Sequence, residues 1–183
     1  MRINAQRLRS LAENNGVSPE QLAGALPRSQ RRKQAGVSLS KVRNWLAGRD
    51  HPRCTPAEMD AMATVLGCRP KDIARFTSRF RFARSSARKA GLLTALIRGR
   101  RVDEASALLE FNPKRAAVMV KKTLDAAIAD AEAAEAAVDR LFVAESRVDS
   151  AMSIKRFQPK DRGRAHPILK RTSHIVVGVE EAR

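Results

Sequence analysis

The chain has 183 residues, enough for one ordinary domain or two small ones. Its 36 Lys and Arg against 19 Asp and Glu give a net charge of +17, which is typical of proteins that bind a polyanion. That polyanion is either nucleic acid or an anionic membrane surface. No run of about 18 apolar residues occurs, so no membrane-spanning helix is expected, and the N-terminal residues lack the apolar segment of a secretory signal. Of the two, the nucleic acid is preferred and no membrane partner is expected.

The first 75 residues predict a small all-α domain of five short helices. Each predicted helix begins at a residue that caps a helix or fixes its first turn, and the longer ones end at glycine. The predicted starts are Asn4, Ser18, Ser38, Thr55 and Pro70, and the stops are Gly16, Gly48 and Gly67. The first helix is expected to bury Leu8 and Leu11.

Three segments of this domain resemble the lambda-repressor-like (XRE-like) helix-turn-helix family: LRSLAENNGVSPEQLAGAL, GVSLSKVRNWLAGRDHP and EMDAMATVLGCRPKDI. In that family the helix after GVS is the recognition helix, which lies in the DNA major groove. The resemblance implies a core of Val42, Trp45 and Leu46. It implies that the outward side chains are Ser38, Ser40, Lys41, Arg43 and Asn44.

One segment departs from the helix-turn-helix pattern. The family joins helices two and three by a tight turn, where this chain inserts PRSQRRKQA (27–35). The insert adds the cations Arg28, Arg31, Arg32 and Lys33. Two outcomes stay open: these cations follow a phosphate backbone, or the insert disrupts the fit of the recognition helix to the groove. Because function belongs to a site rather than to a fold, three interpretations stay open: a basic anchor, a sequence-specific DNA-binding head and a protein-docking surface. The basic anchor is preferred.

Residues 76–183 predict a second domain with a sheet and three helices. RFRFA (79–83) alternates as a short strand with a basic face formed by Arg79 and Arg81. Helices are predicted to begin at Ser85, Asp103 and Asn112-Pro113. The third is expected to continue towards Val138 and to bury Ala116, Val120, Leu124 and Ile128.

A long β-hairpin is predicted over about residues 140–179. LFVAESRVD (141–149) and ILKRTSHIVVGVEE (168–181) alternate as strands, and the stretch IKRFQPKDRGRAHPILKRTSHI carries seven basic residues against one acidic. From Arg147 to Lys160 the arm would measure roughly 45 Å, which is too long to pack on a domain of this size. An isolated hairpin is marginally stable, so a polyanionic partner is expected to hold its tip, at about 153–165.

The predicted fold class is therefore α+β. It consists of a small antiparallel sheet with three helices and a long extended β-hairpin, preceded by a small all-α helix-turn-helix-like domain. The predicted domains are residues 1–75 and 76–183. Low aromatic content, with one Trp and no Tyr, favours phosphate contacts and shape recognition over extensive base stacking.

Residues 78–183 are identified as a member of the bacterial large ribosomal subunit protein twenty-two family. The matching segments are ARSSARKAGLLTALIRGRRVDEASALLEF, NPKRAAVMVKKTLDAAIADAE and IKRFQPKDRGRAHPILKRTSHIVV. The resemblance implies a cytoplasmic, ribosomal, structural protein that acts early in subunit assembly. Its globular part would lie near the mouth of the polypeptide exit tunnel, and its hairpin would line the tunnel.

The resemblance also implies the partners. They are large-subunit rRNA, neighbouring large-subunit ribosomal proteins and the nascent polypeptide near the hairpin tip. An additional DNA-binding regulatory role, through residues 1–75, is the alternative.

Matching motifs place rRNA contacts in three segments. The strand–helix junction contributes Arg84, Ser85, Ser86, Arg88 and Lys89. The hairpin tip contributes Lys155, Arg156, Lys160, Arg162, Gly163 and Arg164. The returning strand contributes Lys170, Arg171, Thr172, Ser173 and His174. In the family, changes in the segment that matches Ile154–Arg156 affect macrolide action, and Ala151-Met152 stands where the family usually has Gly-Pro.

No catalytic or cofactor site is expected. His51, Cys54 and Cys68 resemble a set of three metal ligands, but the chain has no CxxC pair and no fourth ligand nearby, so ordinary thiols are preferred. Two cysteines are too few for a disulfide framework and fit a reducing compartment. No nucleophile elbow or phosphate-binding loop is visible, and no nucleophile pairs with His174 by motif.

Overall fold

The computed structural model describes residues 2–27 and 35–182. The chain divides into two compact units, with the boundary between Phe76 and Thr77. The described residues form eight α-helices and six β-strands. No helix among them is both long enough and apolar enough to cross a bilayer.

The first unit is helical. Its helices are α1 (Ala5–Asn14), α2 (Pro19–Ala25), α3 (Ala35–Leu46), α4 (Pro56–Leu66) and α5 (Pro70–Ile73). A two-residue strand, β1 (Arg2–Ile3), pairs antiparallel with the first residues of β2 (Ala74–Ala83). Leu8, Leu22, Val42, Trp45, Met62 and Ile73 are buried in its core.

Local capping chemistry sets most helix ends in this unit. The Asn4 side chain accepts from the N–H groups of Gln6 and Arg7, and both predicted capping boxes, at Ser18 and Thr55, are confirmed. Gly67 ends α4 at a φ of 62°, a conformation that costs little without a Cβ.

Two expectations for the first unit are corrected. The α3 helix begins at Ala35, so Ser38 lies inside the helix and does not cap it. On α1, the residue buried one turn after Leu8 is Ala12, whereas Leu11 is only half-buried. The helix in fact presents a slightly different face to the core.

The second unit is an α+β domain. Its main sheet has the strand order β2-β6-β3, with β3 at Leu141–Ser150 and β6 at Ser173–Glu181. The helices are α6 (Ala87–Ile97), α7 (Val102–Glu110) and α8 (Arg115–Glu132), and α6 and α8 pack on β3 and β6. A separate two-stranded sheet contains β4 (Ile154–Pro159) and β5 (Ala165–Lys170). The predicted α+β class is confirmed.

Helix boundaries in the second unit differ from the sequence expectation. Ser86 caps α6 in place of Ser85, whose N–H bonds to the Ala83 carbonyl at 2.8 Å. Asp103 lies in the first turn of α7, because Arg101 is held by a bridge to Phe142 and the helix begins directly after it.

The third helix and the first strand are also corrected. The α8 helix ends at Glu132, not near Val138, and the chain turns at Glu135 with a φ of 58°. Ile128 on this helix is half-buried, while the neighbouring Ala127 and Ala131 are fully buried. Strand β2 begins at Ala74, five residues before the predicted start.

Candidate nucleic-acid interfaces

The β-hairpin consists of two ladders separated by a short unpaired segment, residues 151–153 and 171–172, which we call the bend. We call the pairing of β3 with β6 the inner ladder and the pairing of β4 with β5 the outer ladder. In the inner ladder Ser150 lies opposite Ser173, and in the outer ladder Ile154 lies opposite Lys170. The intervening residues number three on the outgoing strand and two on the returning strand. An extra residue on one strand of an antiparallel pair bends that strand, and here it interrupts the predicted continuous hairpin.

Thr172 holds this bend. Its hydroxyl donates to the Met152 carbonyl at 2.7 Å, and its own carbonyl accepts the Ala151 N–H at 3.1 Å. Thr172 is 4% exposed, whereas Met152 beside it is 81% exposed. One buried side chain therefore links the two strands where ladder pairing is interrupted.

The outer ladder has two different faces. Because side chains alternate along a strand, residues directly opposite each other share a face. The face that we call polar carries Ile154, Arg156, Gln158, His166, Ile168 and Lys170. The face that we call apolar carries Lys155, Phe157, Pro159, Ala165, Pro167 and Leu169. Phe157 is 74% exposed, so none of the described residues covers the middle of the apolar face.

The tip is a tight turn that presents cations. The Lys160 N–H donates to the Arg164 carbonyl at 2.7 Å, and Arg162 and Gly163 both adopt a positive φ. A small cleft at this turn is lined by Lys160, Asp161, Arg162, Arg164 and His166. Gly163 therefore supplies the turn conformation, while the residues on either side supply positive charge.

The hairpin cations have no ionic partner in the described part of the chain. Lys155, Arg156, Lys160, Arg162, Arg164, Lys170 and Arg171 are all exposed, and none forms an ion pair with a described acidic residue. Other arginines of this domain donate hydrogen bonds to backbone carbonyls. Arg98 donates to the Ser146 carbonyl at 2.5 Å, and Arg101 donates to the Asp139 carbonyl at 2.6 Å.

The predicted contact residues on the returning strand differ in exposure. Lys170 and Arg171 are exposed, but Thr172 and Ser173 are buried. Thr172 bonds within the bend, and its contact with RNA stays a prediction. His174 is half-buried, and its Nδ1 accepts the Phe82 N–H at 3.1 Å.

The strand–helix junction forms a second cationic cluster. Arg84, Arg88 and Lys89 are exposed around the start of α6, whereas Ser85 and Ser86 are half-buried. The Ser86 hydroxyl accepts the Lys89 N–H at 3.4 Å, which satisfies one of the helix's free donors. A helix N-terminus with nearby cations in the sequence is a favourable place for a phosphate.

In the first unit the candidate recognition residues differ in availability. Ser40 and Arg43 are exposed on α3. Lys41 forms a 2.8 Å ion pair with Glu58, and Asn44 donates to the His51 carbonyl at 3.2 Å. Arg31, Arg32 and Lys33 in the insert lie outside the described residues, as does the side chain of Ser38.

The Lys41–Glu58 pair is also a structural element of the capping box. Burial alone would raise the pKa of Glu58, but hydrogen bonds from Lys41 and Thr55 together hold the pKa below its ordinary value. The carboxylate accepts the Thr55 N–H at 2.9 Å. Lys41 is thus already bound to a charged partner in the folded protein.

The thiols do not form a metal site in the described part of the chain. No group of three or more His, Cys, Asp and Glu within residues 2–27 and 35–182 is arranged to hold a metal ion. Burial, with a smaller effect of Glu58, raises the pKa of Cys54 to about 12, so its thiol stays protonated near neutral pH. Cys68 is likewise a half-buried free thiol.

Sequence reasoning missed two side chains that organise these surfaces. Nothing in the local pattern marks Thr172 as the residue that holds the bend. The contact of Phe82 with His174 joins residues 92 positions apart, so no local sequence pattern signals it.

Comparison with known families gives two matches. Residues 78–180 match the family model described as ribosomal protein L22p/L17e. Residues 5–76 match the model described as a helix-turn-helix domain.

Proposed function

Because the chain belongs to the ribosomal protein L22p/L17e family, we propose that it binds large-subunit rRNA as a structural component of the ribosome. The observation that carries this proposal is the set of exposed hairpin cations without an ionic partner among the described residues. Such cations release counterions from RNA phosphates when they bind.

The hairpin is the main rRNA-binding element in this proposal. Its outer ladder has no core of its own, and a two-stranded hairpin gains too little from pairing alone to be stable in water. The polar face lies against phosphates through Arg156 and Lys170, and the tip adds Lys160, Arg162 and Arg164. The junction cluster at Arg84, Arg88 and Lys89 forms a second contact.

The location within the subunit follows from family membership and is part of the proposal. The hairpin lines the polypeptide exit tunnel, with its tip near the nascent polypeptide, and the globular part lies near the tunnel mouth beside neighbouring ribosomal proteins. Contacts to separated RNA segments from the junction and from the hairpin would allow the protein to act early in subunit assembly.

Ultraviolet crosslinking in cells tests the proposal. We expect large-subunit rRNA to be enriched on the full chain, with crosslinked peptides that map to residues 154–171 and 84–89. Absence of rRNA enrichment would contradict the proposal. Crosslinks confined to α8 would contradict the assignment of the hairpin.

A second candidate function is DNA binding by the first unit. The helix-turn-helix match and the exposed Arg43 and Ser40 on α3 favour it. The internal engagement of Lys41 and Asn44 leaves fewer side chains to read bases, which favours the basic anchor.

The same crosslinking experiment, extended to DNA, separates these interpretations. A DNA-binding head predicts discrete genomic sites and a changed sequence preference for Arg43→Ala. A basic anchor predicts no enriched genomic site, and it predicts that Arg43→Ala lowers the affinity equally for all sequences. Arg115→Ala, an exposed arginine on α8, is the matched control.

A further inference from the structure

Phe82 combines two features that a strand residue rarely shows together. Its φ is 55°, in the left-handed region that bulky side chains seldom adopt, and its side chain is 49% exposed. On the same strand Phe76 is completely buried, as is Ala83. Phe82 therefore departs from the usual backbone conformation without gaining burial in the core. Backbone outliers of this kind cluster at functional sites.

Two neighbours fix the ring in place. The Phe82 N–H donates to His174 Nδ1 at 3.1 Å, and the two rings meet edge to face with centroids 4.7 Å apart. The guanidinium carbon of Arg81 lies 5.4 Å from the ring centroid, within cation–π range. An exposed aromatic ring that is held in this way is organised before any ligand arrives.

The hydrogen bond also fixes the chemistry of His174. A backbone N–H only donates, so Nδ1 is the acceptor, and the proton of the neutral ring is on Nε2. The cluster thus combines an aromatic surface, a planar cation and an imidazole N–H donor. These three groups are the ones that proteins use to stack and hydrogen-bond an unpaired nucleobase.

The surrounding charge favours a nucleic acid over an apolar protein partner. Arg79, Arg81 and Arg84 are exposed along this part of the strand, and residues 76–102 contain no acidic residue. A phosphate chain can follow these arginines and place a base on the ring. A fully paired duplex has no unstacked base to offer.

We propose that Phe82, Arg81 and His174 form a stacking site for one unpaired RNA base. This inference rests on the proposed rRNA binding and adds a specific contact: a base from a loop or bulge, held at the junction between β2 and α6. His174 then acts through its ring beside Phe82, rather than as an isolated strand residue.

Equilibrium binding of the full chain to two RNA probes tests this site. One probe is a hairpin with a nine-nucleotide adenosine loop, and the other is a fully paired duplex with the same number of phosphates. Phe82→Leu keeps an apolar side chain and removes the aromatic face. We expect it to weaken loop binding roughly 5- to 150-fold, the effect of losing one base–aromatic stack, and to leave duplex binding within about twofold.

Two further variants make the result specific. Phe111→Leu, the same change at a phenylalanine that is 86% exposed on α7's C-terminal end, should alter neither affinity. Phe82→Trp should keep the preference for the loop, which a variant that merely disturbed folding would lose. Equal effects of Phe82→Leu on both probes, or no effect on either, would overturn the stacking site alone. If the unaltered chain bound neither RNA, the proposed function would fail with it.

Discussion

The inner and outer ladders of the hairpin use the same antiparallel pairing but lie in opposite environments. Between Ile175 and Glu180 on β6 every residue is buried, because β6 lies between β2 and β3 and under helices. In the outer ladder only Ile154 and Ile168 are half-buried, and the other residues are exposed. Pairing therefore shapes the hairpin, but a core stabilises only its inner half.

The cations of the domain and those of the outer ladder also differ in their bonding. In the domain, Arg98 and Arg101 bond to carbonyl oxygens and help to hold loops and strands together. In the outer ladder the cations meet neither a core nor an acidic partner among the described residues. Water solvates these cations in the free chain, so they remain available to a partner, and a polyanion would match their charge.

The largest effect should come from the inner ladder. Ile175→Ala removes a fully buried side chain and should lower the free energy of unfolding by about 2–5 kcal/mol. Leu169→Ala, in the exposed outer ladder, should cost under about 0.5 kcal/mol. Urea unfolding followed by circular dichroism measures both. Similar losses for the two variants would contradict the division into a stabilised and an unstabilised ladder.

An intermediate effect is expected at the bend between the ladders. Thr172→Val keeps the side-chain volume but removes the 2.7 Å hydrogen bond to Met152, so it should cost about 1 kcal/mol. Thr172→Ser keeps the hydroxyl and serves as the control. Amide hydrogen exchange at Ala151 should accelerate in the valine variant only. Unchanged exchange there would show that the hydroxyl does not hold the bend.

A smaller effect is expected at the ion pair of Lys41 with Glu58. The pKa of Glu58 is lowered in the folded state, so its stabilising contribution is present above the ordinary value of 4.5 and is lost as pH falls through the folded-state pKa. Its contribution should be under about 1 kcal/mol. The chain's single tryptophan, Trp45, reports on this unit by fluorescence.

Glu58→Gln tests the contribution of this carboxylate. The variant should be slightly less stable near neutral pH and should lose less stability on acidification than the unaltered chain. Identical acid dependence in both would show that the Lys41–Glu58 pair does not contribute to folding.

The smallest effect on stability is expected for deletion of Ile154–Arg156. These residues lie outside the core, so unfolding of the remaining domain should change by less than about 0.5 kcal/mol. Because three is an odd number, the deletion places Phe157 on the opposite face of the outer ladder. We expect assembly to continue and macrolide sensitivity of the ribosomes to change. Unaltered sensitivity would contradict the placement of the tip.

Local chemistry made much of this fold predictable. The capping boxes at Ser18 and Thr55 and the stop at Gly67 depend on residues within one turn, so the sequence is sufficient to locate them. The hairpin strands follow from alternation of side chains, and the charge of the tip follows from composition. The family match supports the same two-part organisation.

Features that depend on distant residues were not predictable. Ser86 replaces Ser85 as the cap because the chain turns at Phe82, and that turn is held by His174 from another strand. The α7 helix starts after Arg101 because a bridge to Phe142 holds that residue. The burial of Thr172 depends on the bend between the two ladders. There Thr172 bonds to Met152, which lies twenty positions earlier in the chain.

The most direct test of the account is the salt dependence of rRNA binding. Lys160→Gln with Arg164→Gln removes two tip charges, and Lys122→Gln with Arg115→Gln removes two exposed charges on α8. In a plot of log affinity against log salt concentration, the slope of the tip variant should be less steep by about 1.4–1.8, the effect of losing two phosphate contacts. The α8 variant should retain the original slope. Equal slopes for the two variants would contradict the claim that the hairpin tip neutralises rRNA phosphates.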